Sequence, residues 1–486
     1  MNWARDVVEA RDPAAIALIE LARDGSRRAW GFGEVVRATW AMQARLEGLG
    51  VGRGDVVLTL VGNRPEWVIA LLACFRMGAM VLPCTEQLRE KDLRLRLAVT
   101  APKAAVVDAR NLAELEACEP GCPLVVIPDA DLFAAEVAPP PAAELDPEDG
   151  CLLTFTSGTE GSPKAVVHVQ RYLTGQAVQA EHWFGPRPGD VAWCTAAAGW
   201  SKSARNAFIA PWLRGATAVL HDGRFDPAER LEILAAERVN ALCMAPTEYR
   251  LIAKRATIGE LPHLRRLVAA GEALNPEVLD VWRAATGLEI ADGFGQTETG
   301  QLTGVPLGEP ARPGSMGRPL PGMRVWVDDG ELVVDPETVP TFFRGYLGHE
   351  PAPRDRPWRT GDRVREEDGW LYFEGRADDV IVSSGYRIGP FEVESALVSH
   401  PAVTEAAVVG LADAERGEIV RAVVVLGDGV EGDAELRRAL QEHVKATTAP
   451  YKYPRRVEFV AELPKTASGK IQRALLRRQG EAAGAS

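Results

Sequence analysis

The stretch LLTFTSGTEGSPK (152–164) runs from an apolar strand into Ser, Thr and Gly and ends on a lysine. Small residues let successive N–H groups converge on an anion, the hydroxyls add donors, and Lys164 adds positive charge, which together make a phosphate cradle. It is not a Walker A loop. The GxxxxGK[ST] spacing is absent, and Pro163 followed by AVVHV opens a strand rather than a helix. A polar hairpin loop is the alternative that composition leaves open. GFGQTETG (293–300) gathers an aromatic, an amide, a hydroxyl and a carboxylate. Phe294 can stack on a purine, Thr297 can bond a phosphate, and Glu298 can hold a hard cation such as Mg²⁺. A Gly-rich turn is the plainer reading of the same residues.

In WRTGDRV (358–364), Asp362 can accept from both hydroxyls of a ribose, although an Asp beside Gly commonly forms a turn. GRADDVIVSSGYRIGP (375–390) carries Arg376, Asp378, Gly385 and Arg387, and reads on charge alone as an ion-paired domain edge. PKTASGKIQR (464–473) sets Lys470 in a Ser-Gly turn before a helix, a place where lysines are ordinarily just exposed.

These segments need a scaffold that brings their ends together. The first half of the chain alternates β-type runs with helical patterns. DVVLTLVG (55–62), AAVVDA (104–109), PLVVIPD (123–129) and AVVHV (165–169) are such runs. PEWVIALLACFRMG (65–78) is a helix opened by Pro65 and closed by Gly78. This alternation predicts βαβ units and a largely parallel sheet. In 265–300 a strand RRLVAA, the loop GEAL, a helix from Asn275-Pro276 to Gly287, a strand LEIAD and the loop GFGQTETG follow one another. A single crossover helix makes the two strands parallel, so both loops leave the same sheet edge, where open α/β sheets bind ligands. After residue 320, RVWVDDGELVVD (324–335) and VREEDGWLYFEG (364–375) read as hairpins turning on Asp-Gly. The remainder is a compact α+β pattern ending in a basic helix.

The fold class expected is therefore α/β. A large N-terminal domain (1–376) holds doubly wound, largely parallel sheets and a β-hairpin region, with a small mobile α+β C-terminal domain over 377–486. The Pro-rich VAPPPAAELDPEDG (137–150) reads as a surface connector within the first.

The 486 residues amount to about three domain-equivalents at roughly 150 residues each. With 46% apolar and 25% charged residues, the composition is that of a folded soluble protein. Lys and Arg total 55 against 68 Asp and Glu, and a net charge of −13 lacks the basic footprint of a general nucleic-acid binder. The 7 cysteines are dilute and odd in number, which argues for a reducing compartment rather than a disulfide framework. Cys118 and Cys122 have no second pair at zinc spacing. MNWARDVVEARD has no apolar leader region, and the apolar run Trp67–Phe75 is too short to span a bilayer. The expectation is a cytoplasmic protein, monomer or homodimer, with small-molecule partners and neither nucleic acid nor membrane.

In their order, FTSGTEGSPK, GFGQTETG, WRTGDRV, GRADDVIVSSGYRIGPFEVE and PKTASGKIQR resemble the adenylate-forming superfamily of acyl-CoA synthetases, adenylation domains and luciferases. The likeness spans essentially the whole chain. SSGYRIGP, GWSKSARNAFIAPW, DAERGE and APYKYPRRVEF resemble the medium-chain acyl-CoA synthetase group in particular. The resemblance implies a two-step reaction: a carboxylic acid and Mg·ATP give acyl-AMP and pyrophosphate, then coenzyme A takes the acyl group and AMP leaves. A lysine on a mobile domain can meet both carboxylate and phosphate only when the domains close.

The resemblance also implies roles residue by residue. Thr156, Ser157, Gly158, Thr159, Glu160, Gly161, Ser162, Pro163 and Lys164 would hold the β- and γ-phosphates of ATP. Gly271, Glu272 and Ala273, with Asp292, Gly293 and Phe294, would frame the adenine, and Gly295 and Gln296 complete that nucleotide loop. Thr297 would contact the α-phosphate, Glu298 would ligate Mg²⁺, and Asp362 would bind the ribose. Arg376 and Arg387 would contact the nucleotide, Lys470 would be the adenylation lysine, and Asp378 the hinge. Ser384, Gly385 and Tyr386 would line the pantetheine path, with Arg416 and Lys445 on the nucleotide of coenzyme A and Trp200 in the acyl pocket. Glu160 departs from the family's usual Ser or Thr, and Ala165 from a common Gly; a carboxylate beside pyrophosphate should point to solvent.

The favoured function is an acyl-CoA synthetase for a short- to medium-chain fatty acid. An aryl-CoA ligase of the benzoate type and an enzyme loading a carrier protein are the alternatives. A catalytically dead nucleotide sensor would lack Lys470, Asp362 or Glu298, and all three residues are present.

Overall fold

The computed structural model describes residues 1–134, 137–156, 163–271, 276–377, 379–413, 415–427, 429–465 and 471–484. Two seven-stranded sheets share one core. The first orders its strands Ile290–Gly293, Arg266–Ala270, Ala241–Met244, Val191–Cys194, Thr217–His221, Ile16–Leu21 and Arg27–Gly31. Every neighbouring pair in it is parallel except the last. The second runs Gly345–Tyr346, Ala165–Val169, Gly150–Phe155, Met80–Cys84, Val56–Leu60, Ala104–Asp108 and Leu124–Ile127. Its larger part is parallel, but Ala165–Val169 is antiparallel to both neighbours. The connection between the strands Gly150–Phe155 and Ala165–Val169 is too brief for the crossover that a parallel partner needs.

Side chains of the strands alternate between two apolar environments. Ala218, Ala241, Cys243 and Val268 enter the shared core, whereas Val219, Leu242, Met244 and Leu267 pack with Leu234, Tyr249, Ile252 and Trp282 of the covering helices. In the second sheet Val57, Val81 and Val106 face the shared core, while Leu58, Leu82 and Val107 pack on Leu93 and Leu97. The helix Pro65–Met77 belongs to that shared core, and all of its residues are buried, which is why its sequence is apolar on every side. Its charged members are paired, Glu66 with Arg64 at 3.0 Å and Arg76 with Glu9 at 2.5 Å. Arg76 also donates to the Pro140 carbonyl at 2.6 Å, fastening the Pro-rich connector to this body.

The two predicted hairpins form a four-stranded sheet from Val325–Asp328, Glu331–Val334, Trp358–Glu367 and Trp370–Arg376. Both turn on left-handed Asp-Gly pairs, Asp329 and Gly330 at φ 49° and 71°, Asp368 and Gly369 at 52° and 77°. The second hairpin is longer than the sequence pattern suggests. It includes Asp362, which lies opposite Arg376 and therefore sits in a strand rather than at a turn.

From Ile381 onward a separate five-stranded sheet has its own cores. Val408, Ala422, Val424 and Val457 pack against Leu397 of helix Pro390–Val398 and Leu440 and Val444 of helix Ala434–Thr447. Ala407, Val409 and Val423, on the alternate positions, pack with Leu476 of the final helix Arg473–Gly484.

Candidate active site

The base of the candidate phosphate loop is closed by the strand pair it joins: the Thr156 N–H donates to the Lys164 carbonyl at 2.9 Å. Ser157, Gly158, Thr159, Glu160, Gly161 and Ser162 lie outside the described residues, as do Glu272, Ala273, Asp378 and Lys470. Lys164 projects its ammonium over the ring of Tyr346, 5.0 Å from the centroid. The Tyr346 hydroxyl donates to Glu298 Oε1 at 3.0 Å. Burial, with the Glu298 carboxylate beside it, pushes the phenol pKa up, so Tyr346 is a lasting donor. Lys164 and Glu298, from motifs far apart in the chain, are thus joined through one ring.

A second cluster adjoins the first. Gln296 Nε2 donates to Asp362 Oδ2 at 2.6 Å and to the Thr360 carbonyl at 2.8 Å. Arg376 Nη1 reaches Asp362 Oδ1 at 3.3 Å and the Thr360 carbonyl at 3.1 Å. Asp362 is 4% exposed, so a carboxylate here needs such partners. Phe294 stacks near-parallel on Phe373, with centroids 6.2 Å apart and 26° between planes. The 293–300 segment, Asp362 and Arg376 are therefore in mutual contact.

The strand ends meet as expected. Ala270 is the register partner of Gly293, so Gly271 and Phe294 leave the sheet side by side. Gly293 and Gly295 have no room for a side chain: a Cβ on the first would collide with Trp183 and Gln301, and on the second with the Gly300 carbonyl. GFGQTETG is accordingly a tight hairpin, Gly295–Gln296 against Gly300–Gln301, rather than an open loop. Desolvation pushes the Asp292 carboxyl up to about 8, against the opposing pull of the Gly293 N–H at 2.8 Å and of nearby Lys202.

Sequence reasoning passed over two side chains here. Lys202 Nζ donates to the Ala270 carbonyl at 3.1 Å, at the same sheet edge. His168 is buried near the Thr297 carbonyl, and burial with the positive Arg205 nearby drops its pKa to about 3. Trp200 lies half-buried in the turn that leads to Lys202, its carbonyl accepting from Ser203 N at 2.9 Å. No local spacing marks Lys202, His168 or Tyr346; each acquires its neighbours only through the tertiary fold.

The coenzyme candidates sit on the C-terminal sheet. Ser384 and Gly385, at φ 51° and 81°, turn the hairpin Ile381–Ser383 to Tyr386–Ile388. Ser384 N–H donates to the Arg416 carbonyl at 2.9 Å. Arg387 has its backbone in this hairpin opposite Val382, while its side chain lies outside the described ones. Tyr386 stacks on Tyr451 with centroids 4.3 Å apart, both rings largely exposed, and Lys445 Nζ stands 4.4 Å over Tyr453. Tyr451 and Tyr453 were not among the expected site residues, although APYKYPRRVEF contains them.

The sequence profile of the AMP-binding enzyme family matches residues 5–347, and that of the AMP-binding enzyme C-terminal domain matches residues 392–470. The chain belongs to the AMP-binding enzyme family. This enzyme is 38% identical over 492 residues to the uncharacterized acyl-CoA ligase YtcI of Bacillus subtilis, covering 96% of this chain and 93% of that one. It is 38% identical over 516 residues to the mitochondrial acyl-coenzyme A synthetase ACSM4 of Rattus norvegicus, covering 98% and 89%. The crystal structure of the anthranilate CoA ligase AuaEII in complex with anthranoyl-AMP superposes with a TM-score of 0.88 at 29% identity, covering 99% and 98%. The adenylate-forming resemblance, the mixed α/β class and the reading as an enzyme of the acyl-CoA synthetase kind are borne out. Among the described residues no helix is long and apolar enough to cross a membrane.

Proposed function

We propose that the enzyme activates a short- to medium-chain fatty acid and passes it to coenzyme A. In the first step a carboxylate oxygen attacks the α-phosphorus of ATP, the bond to the β-phosphate breaks, and pyrophosphate leaves. In the second step the coenzyme A sulfur attacks the acyl carbon, the carbon–oxygen bond breaks, and AMP leaves. The convergence of Lys164, Glu298, Gln296, Asp362 and Arg376 supports this reading, since a nucleotide polyphosphate needs cationic, hard-oxygen and hydroxyl-accepting groups within one reach.

In this reading Thr156 to Lys164 wrap the β- and γ-phosphates, and Asp362 accepts from the ribose hydroxyls. Gly271 to Ala273 and Asp292 to Phe294 frame the adenine, with Gly295 and Gln296 continuing the loop. Thr297 contacts the α-phosphate, with the buried His168 near its carbonyl. Glu298 fits a hard cation: it is a half-buried carboxylate, and among the described residues only its Oε1 is engaged by another side chain. Mg²⁺ bound there would screen the polyphosphate charge. Lys470 carries the adenylation chemistry from a domain over 377–486 that turns about Asp378, with Arg387 following the nucleotide. Ser384 to Tyr386, Arg416 and Lys445 receive coenzyme A, and the Tyr386–Tyr451 stack and Tyr453 extend that face. Trp200 lies beside the acyl group.

A panel of acids supplied with Mg·ATP and coenzyme A tests the reading by release of pyrophosphate. Straight-chain acids of short to medium length should be active and aromatic acids inert. The reverse pattern would favour an aryl ligase, the reading to which the superposition with the anthranoyl-AMP complex gives weight. Turnover only on addition of a carrier protein would replace coenzyme A as acceptor.

A further inference from the structure

Tyr346 is placed by main-chain bonds to both of the motifs that meet at its ring. Its short edge strand pairs with the strand that returns from the phosphate loop, Tyr346 opposite Val166 and Gly345 opposite Val167. The Leu347 N–H donates to the Ala165 carbonyl at 2.8 Å, one residue beyond Lys164. Three residues earlier, the Phe343 N–H donates to the Glu298 carbonyl at 2.8 Å. One segment thus sets the distance between the phosphate loop and the carboxylate loop. The ring of Phe343 meets Tyr346 edge-on at 5.2 Å, restricting the phenol to this position.

The charges at its two ends are opposite. An ammonium and a carboxylate left close together in a half-buried cleft would pair directly and neutralise each other. Among the described residues Lys164 has no carboxylate partner; it meets the face of Tyr346, while Glu298 takes the hydroxyl. A neutral ring accepts the cation on its face and donates to the anion at its edge, satisfying both without cancelling either.

We propose that Tyr346 is a positioning residue that keeps Lys164 and Glu298 apart and oriented, so that both charges remain available to the cation-bound triphosphate. The proposal rests on the nucleotide reading of the site and adds to it a residue that touches none of the reacting atoms. It predicts a loss confined to ligands that carry β- and γ-phosphates, because acyl-AMP lacks them.

The test is equilibrium binding by calorimetry on the full chain, with two probes. One is ATP with Mg²⁺, and the other is a non-hydrolysable acyl-sulfamoyl adenosine, which has no β- or γ-phosphate. Tyr346→Phe removes the hydroxyl and keeps the ring, whereas Tyr346→Leu removes both. The dissociation constant for Mg·ATP should rise about tenfold in the Phe variant and further in the Leu variant, by the size expected for a hydrogen bond to a charged group. The Mg²⁺ concentration at half-saturation should rise with it, and affinity for the sulfamoyl adenosine should stay within twofold of wild type. Equal weakening of both probes would make the role merely structural and overturn the proposal, as would unchanged Mg·ATP affinity. A wild-type chain that binds the sulfamoyl adenosine but responds to neither variant refutes Tyr346 alone; a wild-type chain that binds neither probe refutes the nucleotide reading as well.

Discussion

Replacing Asp362 by Asn changes one charge and one atom at the most enclosed carboxylate of the candidate site. Its side chain is 5% exposed, accepts from Gln296 at 2.6 Å and faces Arg376 at 3.3 Å. Asn keeps one acceptor but turns an N–H group toward a donor already in place, either the Gln296 amide or Arg376. Hydrogen bonds to a charged group contribute about 1.5–3 kcal/mol each. If Asp362 accepts from both ribose hydroxyls, losing the charge and one acceptor should cost about 2–4 kcal/mol of binding. At roughly 1.4 kcal/mol per factor of ten, that is a rise of about 30- to 1,000-fold in the dissociation constant. The Arg376 side chain is 33% exposed, so its share of any loss in folding stability is small, and the variant should remain folded. Calorimetric titration with Mg·ATP and with an acyl-sulfamoyl adenosine supplies the readout. Both ligands carry the ribose, so both affinities should fall by a similar factor, unlike the selective loss predicted for Tyr346→Phe. Less than a threefold change in either ligand would refute the ribose assignment.

Two further outcomes are expected. Lys470→Ala should abolish acyl-AMP formation from ATP and acid while permitting thioester formation from preformed acyl-AMP; acyl-AMP made at the wild-type rate would remove Lys470 from the first step. His168 has a folded-state pKa of about 3, far below the ordinary imidazole value, so its contribution to stability is complete above pH 6.5 and is lost as the pH falls from there toward 3. The loss should approach roughly 1.4 kcal/mol per pH unit. Urea melts of His168→Gln between pH 7 and 4.5 should show a shallower acid decline than wild type, and parallel curves would contradict the assignment.

Much of the fold is legible in the sequence because local rules and packing agree. The Asp-Gly pairs at 329–330 and 368–369 turn both hairpins, and Gly78 ends the buried helix in the left-handed conformation. The parallel strands 266–270 and 290–293 deliver Gly271 and Phe294 to one edge, as their single crossover helix requires. What local pattern does not carry is pairing at a distance. Asp362 and Gly361 look like a turn, but register with Arg376 extends the hairpin through them. Tyr346 is an ordinary aromatic in RGYL until its edge strand pairs beside the phosphate loop. His168 reads as one more position of a buried strand, and only the fold brings it near Thr297 and Arg205.

In the proposed reaction the acid's own oxygen ends on the α-phosphorus of ATP. A substrate acid labelled with ¹⁸O in both carboxyl oxygens, turned over with Mg·ATP and coenzyme A, tests it by mass spectrometry of the products. One ¹⁸O atom should appear in AMP and one in the thioester carbonyl, with pyrophosphate unlabelled. Label in orthophosphate alongside ADP, or AMP free of label, would contradict it.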